Sequence, residues 1–69
     1  MNKYPNGMYK TTSKAQDETA QVLFRRFIVR VSMSTMFDQI TGNVDFTYCT
    51  YPKGDDLLKI TVNRKGEII

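Results

Sequence analysis

The stretch AQVLFRRFIVRVSM, from Ala20 to Met33, decides what this chain becomes, because it carries two periods at once. Ala20, Leu23, Phe24, Phe27, Ile28 and Val31 recur at helical spacing. Phe27, Val29, Val31 and Met33 also alternate with Arg30, Ser32 and Ser34 as a strand does, with Ile28 alone out of phase. The β-branched residues of Ile28-Val29-Arg30-Val31 favour extended backbone, so a strand is expected over residues 26–33. The alternative is a single helix running from 14 to 33.

Working back from this stretch, Ser13-Lys14-Ala15-Gln16 has the spacing of a capping box, followed by Asp17 and Glu18 in the first turn, where the helix dipole favours acids. A helix therefore starts at Lys14. Residues 1–13 read as an N-terminal arm, with a turn signature at Tyr4-Pro5-Asn6-Gly7 and with Tyr4, Met8 and Tyr9 available to dock on the body or on a partner.

Working forward, Thr35-Met36-Phe37-Asp38 repeats the capping spacing and Thr41-Gly42-Asn43 supplies a stop, so a second, short helix is expected with Met36, Phe37 and Ile40 on one face. Beyond it the chain reads as β. Val44, Phe46 and Tyr48 alternate with Asp45, Thr47 and Cys49, and Pro52-Lys53-Gly54-Asp55 makes a turn. Leu58, Ile60 and Val62 alternate with Lys59 and Thr61. Asn63-Arg64-Lys65-Gly66 suits a type I turn with the glycine left-handed, and Glu67-Ile68-Ile69 returns as a last short strand. The expected fold is α+β: one domain over 14–69, with an antiparallel sheet made of a C-terminal three-stranded meander plus strand 26–33, and one or two short helices on one side.

Sixty-nine residues, 41% apolar and 25% charged, are enough for one small core. One cysteine cannot close an internal disulfide, and without histidine there is no ligand set for structural zinc. Such a chain is self-sufficient, or completes its core on a partner or on itself. No apolar leader follows Lys3, and Arg25, Arg26 and Arg30 break up the most apolar stretch, so no membrane segment is expected. The lone Cys49 suits a reducing compartment, which makes the cytoplasm the expected location.

The formal charge is +3, unevenly distributed. In residues 1–35, Lys3, Lys10, Lys14, Arg25, Arg26 and Arg30 face only Asp17 and Glu18. In the remainder Lys53, Lys59, Arg64 and Lys65 are outnumbered by Asp38, Asp45, Asp55, Asp56 and Glu67. A basic half attracts phosphate backbones or an acidic protein surface.

Catalysis finds little to work with. The absence of histidine removes the commonest general base and every Ser-His or Cys-His pairing. Cys49 lies within a strand pattern, where a free cysteine behaves as a small hydrophobe. Gly54-Asp55-Asp56 spells the GDD tripeptide of RNA-dependent RNA polymerases, but three residues of so short a chain are better explained as a solvated hairpin tip. The expectation is a non-enzyme with no cofactor and no metal.

Binding is the better prospect, on three features. Arg26 and Arg30, with Arg25 beside them, share a face in either the strand or the helical reading, and forked guanidiniums suit phosphate or carboxylate. Phe46 and Tyr48 share a strand face and belong to the core, whereas Tyr51 beside Lys53 is placed for an exposed stacking contact. Ile68 and Ile69 mark the last strand as a sheet edge open to self-association. The favoured function is a small basic module contacting nucleic acid through Arg25, Arg26, Arg30, Tyr51, Lys53, Lys59, Arg64 and Lys65. The alternative is a protein-binding inhibitor or adaptor, of the accessory kind found in phages and mobile elements, acting on an acidic protein surface through an edge strand or the N-terminal arm. Homodimerisation through residues 68–69 is compatible with both.

Overall fold

A computed structural model describes residues 11–69. The turn signature and the aromatic residues of the arm, Tyr4 and Tyr9, lie outside them. The capping box forms as its spacing dictates. The Gln16 amide donates to the Ser13 hydroxyl at 3.1 Å, and Gln16 Oε1 accepts the Ser13 amide at 2.7 Å. Helix α1 then runs Lys14–Phe24, with Arg25 as its C-cap.

Three antiparallel strands follow in chain order: β1 (Val31–Phe37), β2 (Val44–Thr50) and β3 (Asp56–Val62), with β2 in the centre. The fold is a small α+β domain with one helix on one side of an open sheet. Val44, Phe46 and Tyr48 of β2 are buried beneath the helix with Ala20 and Val62, and half-buried Leu23, Phe24, Phe27, Met33, Phe37, Leu58 and Ile60 pack around them. Phe46 and Tyr48 are core residues, as their shared parity implied. The Tyr48 hydroxyl would be costly to bury alone, and it donates to the Ala20 carbonyl at 2.9 Å.

The helix is clamped to the far end of the sheet by polar contacts. Gln16 is fully buried, and its amide nitrogen donates to the carbonyls of Gly42 (2.7 Å) and Val62 (3.1 Å). The hydroxyls of Ser13 and Thr19 donate to the carbonyls of Arg64 (2.9 Å) and Gly66 (2.7 Å). Gly66 takes φ +90, and its amide donates to the Asn63 carbonyl at 2.9 Å, which is the turn with a left-handed glycine that Asn63–Gly66 announced. A Cβ on Gly66 would stand 2.9 Å from the Ala15 Cβ, so the missing side chain lets the helix and the turn touch.

Between helix and sheet the structure departs from three expectations. The strand expected at 26–33 lies at 31–37, and the long-helix alternative ends at Phe24. Residues 25–30 belong to neither element. The Arg26 and Phe27 amides close the helix with bonds to the Leu23 and Phe24 carbonyls, which turns Phe27 inward to 5.4 Å from the Tyr48 ring centroid. Burying that ring outweighs continuing either backbone pattern.

The second helix is replaced by the end of β1, because pairing with β2 sets Met36 opposite Asp45 and Phe37 opposite Val44. Asp38, expected inside that helix, caps a turn: its carboxylate accepts the amides of Ile40 (2.9 Å) and Thr41 (3.2 Å). Phe37 is half-buried in the core while Met36 and Ile40 are exposed, so the three share no face. Finally, residues 67–69 make a single bridge, Val62 to Ile68, supported by the Ile69 amide on the Thr61 carbonyl at 2.8 Å. The three-stranded meander is therefore β1-β2-β3, one strand earlier in the chain than expected.

Candidate binding surfaces

The arginines sit where the chain leaves the helix. Arg25, Arg26 and Arg30 are all exposed, in the segment joining α1 to β1. Arg26 and Arg30 share neither a helix nor a strand, so the common face expected of them by periodicity does not arise in that way. Between them Ile28 is fully exposed and Val29 largely so, which gives the segment an apolar tip flanked by cations.

Arg30 finds a different companion. Its guanidinium carbon lies 4.7 Å over the Tyr51 ring centroid, and the Tyr51 amide donates to the Arg30 carbonyl at 3.0 Å. Stacking of this kind holds a planar cation in place while leaving its edge donors available. Tyr51 is half exposed, as expected of it.

The remaining basic residues are dispersed. Lys53 pairs with Asp55 (3.7 Å) across the β2–β3 turn and Lys59 with Asp56 (3.2 Å), both exposed contacts worth little to stability. Arg64 donates to the Thr11 carbonyl at 2.7 Å and so ties down the chain entering the helix. Lys65 and Arg26 line a shallow groove together with Glu18 and the apolar Val22, Leu23 and Ile68. Arg26 and Lys65 thus share one surface, Arg30 and Tyr51 another, and Lys59 a third.

That third surface is the sheet face away from the helix. By register it presents Ser32, Ser34 and Met36 from β1, Asp45, Thr47 and Cys49 from β2, and Asp56, Lys59 and Thr61 from β3. No aromatic ring stands among these residues, so the face offers no platform for base stacking. Its polar groups satisfy one another: the Thr61 hydroxyl donates to Asp45 at 2.6 Å and the Cys49 thiol to Asp56 at 3.4 Å. Partial burial and the Asp56 carboxylate push the Cys49 pKa up, which keeps the thiol protonated at neutral pH and therefore a poor nucleophile. Lys59, and then the Cys49 thiol, hold Asp56 below the usual carboxylate range. Asp55 and Asp56 are engaged with neighbouring lysines at the hairpin, where Gly54 takes φ +87.

The sheet has two edges, and the expected one, at Ile68 and Ile69, lies outside β3. Ile68 and Ile69 are exposed, but they lie along β3 and partly cover it. Among the described residues the other edge is β1, which no strand covers and whose residues Val31–Phe37 include no charge and no proline. A seven-residue run free of both was the available signal, and the capping pattern at Thr35–Asp38 overlay it. Compared with protein-family models, with curated proteins and with solved structures, the chain matches none.

Proposed function

We propose that this chain is a small, non-enzymatic binding module that holds nucleic acid through the arginines of residues 25–30, with Tyr51 beside them. The observation that carries the reading is charge that finds no local use. Where the described residues form ion pairs, they spend Lys53 and Lys59 on Asp55 and Asp56, while Arg25, Arg26 and Arg30 stand exposed and form none, although Asp17 and Glu18 line the same helix surface as Arg25 and Glu18 that of Arg26. Forked guanidiniums on a short connecting segment suit successive phosphates. Arg30 stacked on Tyr51 adds an aromatic plane whose other side can receive a base. Lys65 extends the basic surface past Arg26, and Lys53 lies two residues beyond Tyr51. No helix among the described residues is long and apolar enough to cross a membrane, and a cytoplasmic setting, where such a ligand is met, belongs to this proposal.

The test is fluorescence polarisation with labelled single-stranded DNA, duplex DNA and RNA across a salt series. Binding should weaken steeply as salt rises, and Arg25→Ala with Arg26→Ala should weaken it about ten-fold and reduce the salt slope by about one per lost phosphate contact. No binding at low salt ends the proposal.

One observation favours a second reading, a protein-binding inhibitor or adaptor. Ile28 and Val29 project between the arginines, and an exposed apolar patch rimmed by polar residues marks a protein-contact surface. Ile28→Ser separates the two, since it removes the apolar tip without adding charge and so should abolish protein docking while leaving phosphate binding within about three-fold.

A further inference from the structure

We infer that β1 is a self-pairing edge, and that two copies of this chain join through it in antiparallel register about Ser34 to make one six-stranded sheet. This inference goes beyond the nucleic-acid reading and shares Arg30 with it: in the dimer Arg30 faces Asp38 of the other copy, which leaves Arg25 and Arg26 for phosphate.

The backbone sets the terms. The Arg30 carbonyl accepts from Tyr51 and the Asp38 amide donates to Asn43, so at both ends of β1 the even-numbered residues turn their polar groups toward β2. Antiparallel ladders alternate, so Ser32, Ser34 and Met36 do the same. Val31, Met33, Thr35 and Phe37 consequently direct their amides and carbonyls away from the sheet, where no strand of the described residues lies. A strand on the outside must exchange bonds with those four.

A second β1 meets this requirement best in one register. With Ser34 opposite Ser34, Val31 faces Phe37 and Met33 faces Thr35, so every outward residue exchanges both of its bonds. Sliding the copy by one pair in either direction leaves outward groups unmatched. A slip that mixed odd with even residues would turn the apolar side of one copy toward the polar side of the other.

Side chains agree with the backbone. Val31, Met33 and Phe37 lie on the helix side and are only half-buried in one copy, so their meeting continues the apolar layer from one core into the next. On the other side Ser32 faces Met36, which is 72% exposed in one copy. No like charges oppose, because β1 has none. At each end the same register sets Arg30 of one copy opposite Asp38 of the other. Asp38 is held ionised by the Ile40 and Thr41 amides, and Arg30 is steadied by Tyr51. Opposite charges at both ends of a neutral strand favour this register over its neighbours. Natural edges usually carry a lysine, a proline or a bulge to prevent such pairing, and β1 has no lysine or proline.

The test is sedimentation of the full chain from micromolar to submillimolar concentration, combined with cysteine trapping. The expected species has twice the 8.0 kDa chain mass. In a Cys49→Ser background, Ser34→Cys should cross-link to itself under mild oxidation, because opposed residues at a two-fold lie within disulfide range. Ser32→Cys should be trapped at least about five-fold less, since the two copies of residue 32 stand four residues apart along the strands, about 13 Å. Thr35→Pro removes an outward amide that bonds nothing among the described residues, and should yield a folded monomer by circular dichroism. A monomer at every concentration, or equal trapping at residues 32 and 34, overturns the inference and leaves the edge to a strand from another protein.

Discussion

The two edges of this sheet are built from opposite materials. Along β3 the outer edge is partly shut by Ile68 and Ile69, and the turn after it is bolted to the helix through Ser13, Thr19 and Gly66. Along β1 the outer edge is bare, and the chain on either side exposes Ile28, Val29, Met36 and Ile40. The helix lies over β2 and is bonded to the carbonyls of Val62, Arg64 and Gly66 at the β3 side, while β1 gives the core only the half-buried Val31, Met33 and Phe37. One side of the domain is finished within the chain, while the other is finished in its backbone geometry but not in its burial.

The sharpest way to break the comparison is to damage the closed side. Gln16→Ala strips the Gly42 and Val62 carbonyls of their buried donors and should cost about 3 kcal/mol in urea unfolding. Gly66→Ala should cost about 2 kcal/mol by the same measurement, because φ +90 strains alanine and its Cβ meets Ala15. Deleting Ile68 and Ile69 opens the β3 edge, and should lower stability by about 1 kcal/mol without changing the mass in solution.

On the bare side the expected effects are smaller. Met36→Thr should leave the unfolding midpoint of dilute protein within about 0.5 kcal/mol of the parent, because the side chain is already in solvent. Asp38 gives a still finer reading. Its carboxyl is held below the usual range by the amides it caps, so its contribution to stability is full above about pH 4 and is lost as pH falls through its folded pKa. Asp38→Asn keeps a capping oxygen but cannot titrate, so its urea midpoint should fall less on acidification than the parent's. Equal curves would show that the cap does not depend on charge.

Legibility in the sequence followed the same division. The capping box at Ser13–Gln16, the buried parity of Phe46 and Tyr48, and the left-handed glycine at Gly66 are settled by local chemistry, and each could be read from a few adjacent residues. The segment from Arg25 to Ile40 could not, because its conformation is imposed from elsewhere. Phe27 is drawn onto Tyr48, and the run Val31–Phe37 becomes a strand only by lying along β2. Asp38 carried a true capping signal that belonged to a turn and not to a helix. For the candidate site, exposure of Arg25, Arg26, Arg30 and Tyr51 was legible, whereas the stacking of Arg30 on Tyr51 needed strand pairing to bring them together. The second edge, β1, was not legible for the same reason: which strands lie outermost is a property of the assembled sheet.

The alternation along β1 also sets a clock. In heavy water, at a dilution that keeps the chain monomeric, the amides of Ser32, Ser34 and Met36, bonded to β2, should keep their hydrogens long after Val31, Met33, Thr35 and Phe37 have lost theirs, and pairing at higher concentration should slow the second set. A single strand would then show isotope exchange in two interleaved tempos, residue by residue. The ratio between those tempos measures how often the outward side of the strand meets solvent.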